Sequence, residues 1–256
     1  MTTTDRTDTR LTPRSVPAAG LDVFTLVDDG EIDGPAVVLL HGVGVSSRNM
    51  APAAAALAHR CRVYVPDLPG HGRTTKPDHP LRLPEHARVL TAWLDALDLA
   101  RVDVLGNSYG CQVAIELALH VPERVRRVVL QGPIADPAAP RWLPQIWRWI
   151  RNGRLEPSTQ AGTTFGDWKA AGLHTMLATA RDSLHYPVED KLRCVTQPTL
   201  VVRGEHDPIV PQRWAERATE LLPDGRLVVV PGASHTITTT MPTQLATVVE
   251  RFLLAT

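Results

Sequence analysis

The feature that most constrains this chain is a series of short apolar runs, largely without polar alternation. Residues 36–40 read AVVLL, 62–65 RVYV, 102–105 VDVL, 125–130 VRRVVL, 199–202 TLVV and 227–230 LVVV, with an earlier run at 23–27. A strand with one face in water alternates; near-continuous apolar runs suit a sheet covered on both faces. Between the runs lie longer stretches with helical spacing, over about 84–97, 212–222 and 242–254. Another starts just after Ser108, with Val113, Ala114, Leu117, Ala118 and Val121 on its apolar positions and Pro122 to stop it. Strand and helix in alternation imply an α/β fold with a doubly wound, mostly parallel sheet.

At 256 residues the chain has room for one large domain and a buried core. Its 27 basic and 27 acidic residues balance, with no long run of one sign, which argues against nucleic-acid partners and a polybasic membrane anchor. No apolar run reaches the roughly 18 residues of a membrane span. The threonine-rich opening lacks the apolar core of a signal peptide, so residues 1–17 are expected to form a flexible tail. Cys61, Cys111 and Cys194 are too far apart for a C-x-x-C pair and read as apolar fillers in a reducing compartment. The expectation is a cytoplasmic protein, monomer or homodimer, acting on a small molecule.

One segment interrupts the alternation. Residues 134–192 contain no clear strand and hold four of the six tryptophans, Trp142, Trp147, Trp149 and Trp168. Leu143, Ile146, Trp147 and Ile150 share one helical face, as do Leu173, Leu177, Ala180 and Leu184. This reads as a helical insertion, 134–192, packed over one end of a core made of 18–133 and 193–256. Gly153, Gly162, Gly166 and Gly172 are candidate hinges within it.

The chemistry centres on Gly106-Asn107-Ser108-Tyr109-Gly110, between a buried run and an amphipathic helix. A sharp strand-to-helix turn needs small flanking residues, and it thrusts the serine out above the strand ends with a helix N-terminus behind it. A serine hydroxyl needs a base, and the base an orienting carboxylate. Both follow in order past later runs: Asp207 in GEHDPIVP and His235 in PGASH. All three sit where an open parallel sheet places its ligands. After the run at 36–40 comes His41-Gly42-Val43-Gly44, whose glycines let backbone donors approach a substrate oxygen. The Val43 amide, with Gly44 second, and the Tyr109 amide are the candidate oxyanion donors.

HGVG at 41–44, DLPGHGRT at 67–74, GNSYG at 106–110, GEHDPIVP at 204–211 and PGASH at 231–235 together resemble the α/β-hydrolase fold family, from about residue 22 to the end. The resemblance implies that Ser108, Asp207 and His235 form a catalytic triad and that the tryptophan-rich insertion is a helical cap entered after the sixth strand. It implies hydrolysis of an ester, lactone or thioester of a medium-sized, largely apolar substrate, without metal or cofactor. Asn107 before the serine is similar to the meta-cleavage-product hydrolases, which cut a carbon–carbon bond, although Thr236 stands where those enzymes often carry tryptophan. A non-hydrolytic lyase or cyclase, or a ligand receptor on the same fold, is the third reading.

Asp136, after the preceding run, competes with Asp207 as the acid; the GEHDPIVP pattern favours Asp207. Glu205 and His206 read as loop bystanders. His41 is expected to support its loop rather than transfer protons, and Asp67 and His71 to fix a turn. No histidine–carboxylate cluster has metal-ligand spacing. His41, Gly42, Asn107, Trp142, Trp147, Trp149 and Trp168 are the candidate pocket residues, since such pockets are mainly apolar and aromatic. Arg148, Arg151, Arg154 and Arg181 are expected on solvated helix surface, with one of them a candidate for holding an anionic substrate group.

Overall fold

The computed structural model describes residues 11–28, 30, 32–134, 136–137, 148, 151–153 and 161–255. Among these, eight strands form one sheet in the order β1-β2-β4-β3-β5-β6-β7-β8. The strands are β1 (Thr12–Ala18), β2 (Leu21–Asp28), β3 (Ala36–Leu40), β4 (Arg62–Pro66), β5 (Val102–Asn107), β6 (Val125–Gln131), β7 (Thr199–Gly204) and β8 (Gly225–Val230). β1 and β2 run antiparallel to their neighbours, and every pairing from β4 through β8 is parallel. The doubly wound α/β architecture read from the apolar runs is the one observed.

The apolar runs of β3, β4, β5 and β7 are buried on both sides because each feeds two cores. Val38 and Leu40 of β3 join one cluster with α2 (Leu83–Ala96), α3 (Tyr109–His120) and α7 (Gln212–Leu221). Val37 and Leu39 face the other, against α1 (Ser47–Leu57), α8 (Ile237–Thr240) and α9 (Pro242–Leu253). A strand buried on both faces has no side that can be polar, hence AVVLL.

The first correction is at the N-terminus. The expected tail over 1–17 ends by Thr12, because Thr12–Ala18 pairs with Leu21–Asp28 as an edge strand. Four of its first residues face solvent, and Pro13 and Pro17 lie in it, so it lacks both the alternation and the composition of an inner strand. Proline is tolerated at a sheet edge, where its missing N–H leaves no ladder partner wanting.

Between β6 and β7 the described residues contain no strand. They carry α4 (Ala161–Ala171), α5 (Leu173–Leu184) and α6 (Val188–Cys194). The expected boundary at 192 falls inside α6, whose Val188 and Leu192 are buried in the core cluster. Gly172 separates α4 from α5 with φ +80°, whereas Gly166 lies within α4 and is no hinge. α5 is tied to the core where Asp182 Oδ2 accepts the Leu83 N–H at 2.8 Å, taking up one of the amides that the start of α2 cannot pair internally. No helix among the described residues is long and apolar enough to cross a membrane.

Candidate active site

Ser108 stands between β5 and α3 with φ 55° and ψ −115°. A non-glycine residue there carries roughly 1–3 kcal/mol of strain, which the surrounding packing must offset. The flanking glycines explain how. A Cβ on Gly106 would lie 2.2 Å from the Gly110 carbonyl oxygen, and one on Gly110 would lie 2.2 Å from that of Leu40. The turn closes only because both are glycine. The Ser108 N–H is anchored to the Gln131 carbonyl at 3.0 Å. Tyr109 opens α3, so its amide is one of those a helix leaves without an internal partner.

His235 follows β8. Its Nδ1 donates to Asp207 Oδ2 at 2.7 Å, and both side chains are almost fully buried. Asp207 Oδ1 accepts the N–H groups of Ile209 and Val210 at 2.8 and 3.0 Å. Three donors therefore hold one carboxylate, and the ring proton is placed on Nδ1, which leaves Nε2 as the basic nitrogen. Arg203, which sequence reasoning passed over, staples this loop: its guanidinium donates to the carbonyls of Val210, Glu205 and Asp207 at 2.7–3.1 Å. Gly132, with φ +63°, lies under the imidazole; a Cβ there would meet Cε1 at 2.7 Å.

The histidine's backbone is held as well. Its carbonyl accepts from Gln131 Nε2 at 2.8 Å, and its N–H donates to Asn152 Oδ1 at 3.2 Å. Asn107 Nδ2 donates in turn to Gln131 Oε1. Asn107 is thus buried in a network rather than open to ligand. Neither Gln131 nor Asn152 carries a motif; the only signal, at Gln131 alone, was a polar residue directly after the apolar run 128–130.

The loop after β3 reaches the same place. A Cβ on Gly42 would lie 3.3 Å from Ser108 Cβ and from Asn107 Oδ1, and one on Gly44 would lie 3.0 Å from the Trp168 indole. The structure thus brings the stretch before Val43 against the Ser108 turn and packs Trp168 against the stretch after it. Asp167, next to Trp168 in α4, accepts from Ser46 Oγ at 2.8 Å and pairs with Arg48 at 3.3 Å. Trp142, Trp147 and Trp149 lie outside the described residues, as does Arg154.

His41 is fully buried and has the supporting role expected. Its Nε2 accepts the Leu68 N–H at 2.9 Å, so its Nδ1 proton points to the Gly42 carbonyl at 2.8 Å. Burial lowers its pKa and keeps it neutral. Asp67 fixes the neighbouring turn, accepting the N–H groups of Ser47 and Arg73 at 2.6 and 2.8 Å, and a Cβ at Gly72 would strike its carboxylate. His71 packs edge-on against His41, its pKa pushed down to about 3 chiefly by burial.

Asp136 is buried too, but in different company. Arg213 donates to both its oxygens at 3.1 and 2.6 Å, and Arg148 pairs with it at 3.2 Å. Arg148 is therefore not the solvated surface group that sequence suggested; Arg151 and Arg181 are exposed. Glu205 accepts the Gly232 N–H at 2.8 Å, and His206 is exposed. Among the described residues no group of histidine, cysteine, aspartate and glutamate is arranged to hold a metal ion.

Residues 37–248 match the model of the alpha/beta hydrolase family. The chain belongs to that family. It is 26% identical to the poly(3-hydroxyalkanoate) depolymerase of Ectopseudomonas oleovorans, over 94% of this chain and 92% of the relative. It is 29% identical to the 2-hydroxy-6-oxo-2,4-heptadienoate hydrolase of Pseudomonas putida, over 87% of this chain and 89% of the relative. In three dimensions it is similar to a hydrolase from Pseudomonas aeruginosa PA01, with a TM-score of 0.80, 22% identity and coverage of 98% of this chain and 100% of that one.

Proposed function

We propose that this alpha/beta hydrolase is a serine hydrolase that cleaves an ester, lactone or thioester through an acyl-enzyme. The observation that carries the reading is the buried 2.7 Å bond from His235 Nδ1 to Asp207 Oδ2, which leaves Nε2 as the base at the same end of the sheet where β5 carries Ser108 in a strained turn. Ser108 Oγ attacks the substrate carbonyl carbon as His235 Nε2 takes its proton. Asp207 holds the tautomer and stabilises the imidazolium that forms. The amides of Val43 and Tyr109 receive the oxyanion, whose charge a helix N-terminus also favours. His235 then protonates the leaving group, and water, deprotonated by the same nitrogen, releases the acid.

Trp168 against the loop 41–44 makes one wall of the substrate site apolar. This supports a medium-sized, largely apolar acyl group, with the segment between β6 and β7 as the cap over it. One relative is named for depolymerising a poly(3-hydroxyalkanoate), in keeping with ester chemistry. Carbon–carbon hydrolysis is the second reading, favoured by Asn107 beside the serine and by the relative named for a dienoate. Against it, Arg148 is engaged by Asp136, and Thr236 follows the histidine.

A fluorophosphonate probe with peptide mapping, run beside p-nitrophenyl esters of graded chain length, tests the proposal. The expected result is an adduct on Ser108, ester turnover, and loss of both in Ser108→Ala with the fold intact. An adduct without ester turnover would move the substrate to a dienoic acid or lactone. Near-full turnover by Ser108→Ala would sink the nucleophile assignment.

A further inference from the structure

We propose that Gln131 is a positioning residue that sets His235 relative to Ser108. This rests on the serine-hydrolase reading and goes beyond the three triad side chains. Gln131 ends β6, between the strands that carry the elbow and the acid, and it is wholly buried. It is bonded to both halves of the site. Its backbone carbonyl accepts the Ser108 N–H at 3.0 Å, its side-chain Oε1 accepts Asn107 Nδ2, and its Nε2 donates to the His235 carbonyl at 2.8 Å. The next residue, Gly132, is the floor against which the imidazole packs.

The orientation of this relay is forced. The His235 carbonyl can only accept, so the glutamine must present its NH2 there and its oxygen to the other side. Asn107 must then offer its own NH2, which turns Asn107 Oδ1 toward Gly42. One fixed acceptor thereby orders two amides across the carboxyl ends of β5, β6 and the loop after β8. Burying a glutamine costs desolvation that an apolar residue of the same size, such as methionine, would not incur. What the amide adds is a donor and an acceptor back to back. A carboxylate at this position would place an acceptor against an acceptor. The Asp207 bond orients the imidazole about its own axis but leaves the backbone of residue 235 free to translate. The Gln131 bond to the carbonyl, with the Asn152 bond to the N–H, restricts that freedom, and the distance between serine and base is what proton transfer depends on most steeply.

The test compares the rate of fluorophosphonate labelling at Ser108 in wild type, Gln131→Met, His235→Ala and the double variant, together with kcat and KM for a p-nitrophenyl ester. If Gln131 acts through the base, Gln131→Met lowers labelling and kcat by about 10- to 100-fold with KM nearly unchanged. In the His235→Ala background it adds nothing further. An equal loss in both backgrounds would make Gln131 a merely structural residue, and no loss in either would end the proposal. Gln131→Glu keeps the size and the acceptor for Asn107, so it carries the comparison if the methionine variant does not fold; the same pattern is expected of it. The low-field proton resonance of the His235–Asp207 bond supplies a readout that needs no substrate. It is expected to shift in both Gln131 variants. An unchanged resonance would overturn the inference, whereas failure of wild type to label would strike the hydrolase reading instead.

Discussion

The loops after β6 and β7 each bury an aspartate at the same edge of the sheet, and the two carboxylates have opposite surroundings. Asp136 is clasped by the guanidiniums of Arg148 and Arg213. Asp207 is held by two backbone amides and by His235. Two cations neutralise Asp136 and occupy its oxygens, so it fastens α7 to the residues that precede it. Amides fix Asp207 without cancelling its charge, which stays available to an imidazolium. Placement at a strand end does not make an acid catalytic; its donors do.

The sharpest way to break this comparison is to neutralise each acid in turn. Asp207→Asn is expected to lower kcat by roughly 10⁴-fold by disturbing the histidine tautomer, with little change in melting temperature. If Asp136→Asn did this instead, the acid assignment would move. Next in size is Gly132→Ala, whose added Cβ must push on the imidazole at a backbone conformation that alanine resists. Its kcat should fall by about 10²-fold while KM stays close to wild type, since displacement of a reacting group by about 1 Å costs that much. Asp136→Asn should show the reverse pattern, with turnover kept within a few-fold and a loss of about 2 kcal/mol in a denaturant titration.

The last effect concerns pH, and it extends the contrast to histidines. His71 and His86 are pushed down to about 3 and about 4, in each case mainly by burial. Between pH 6.5 and about 4 the unfolded chain binds protons at these positions and the folded protein does not. Stability is therefore full above pH 6.5 and falls as the pH drops, by about 1.4 kcal/mol per pH unit for each histidine. Melting temperature measured against pH should flatten in His71→Gln. An unaltered slope would mean that His71 is protonated in the folded state.

Much of the elbow was legible because its demands are local. Gly106 and Gly110 are dictated by backbone oxygens 2.2 Å from any Cβ, and such a constraint leaves its mark in adjacent letters. The same holds for Gly72 against Asp67. β1 was not legible, because an edge strand with two prolines and four exposed residues before its buried Val16 and Ala18 is too short in alternation to betray itself. Gln131 and Asn152 were missed because each serves a partner distant in the chain, and Arg203, which serves its own loop, because a single polar letter does not say which way it points.

By itself the sequence determined the layering and the chemistry on offer: apolar runs that suit a covered, mostly parallel sheet, and a serine, an acid and a histidine in order past three of its strands. Only the tertiary structure showed that Asp207 bonds to His235 whereas Asp136 bonds to arginines, put Asn107 in a buried amide network, and set Gln131 against both Ser108 and His235. The physical reason is range. Burial pattern and backbone strain are properties of short segments, whereas a carboxylate's or an amide's role is set by which donors and charges the fold brings within about 3 Å of it.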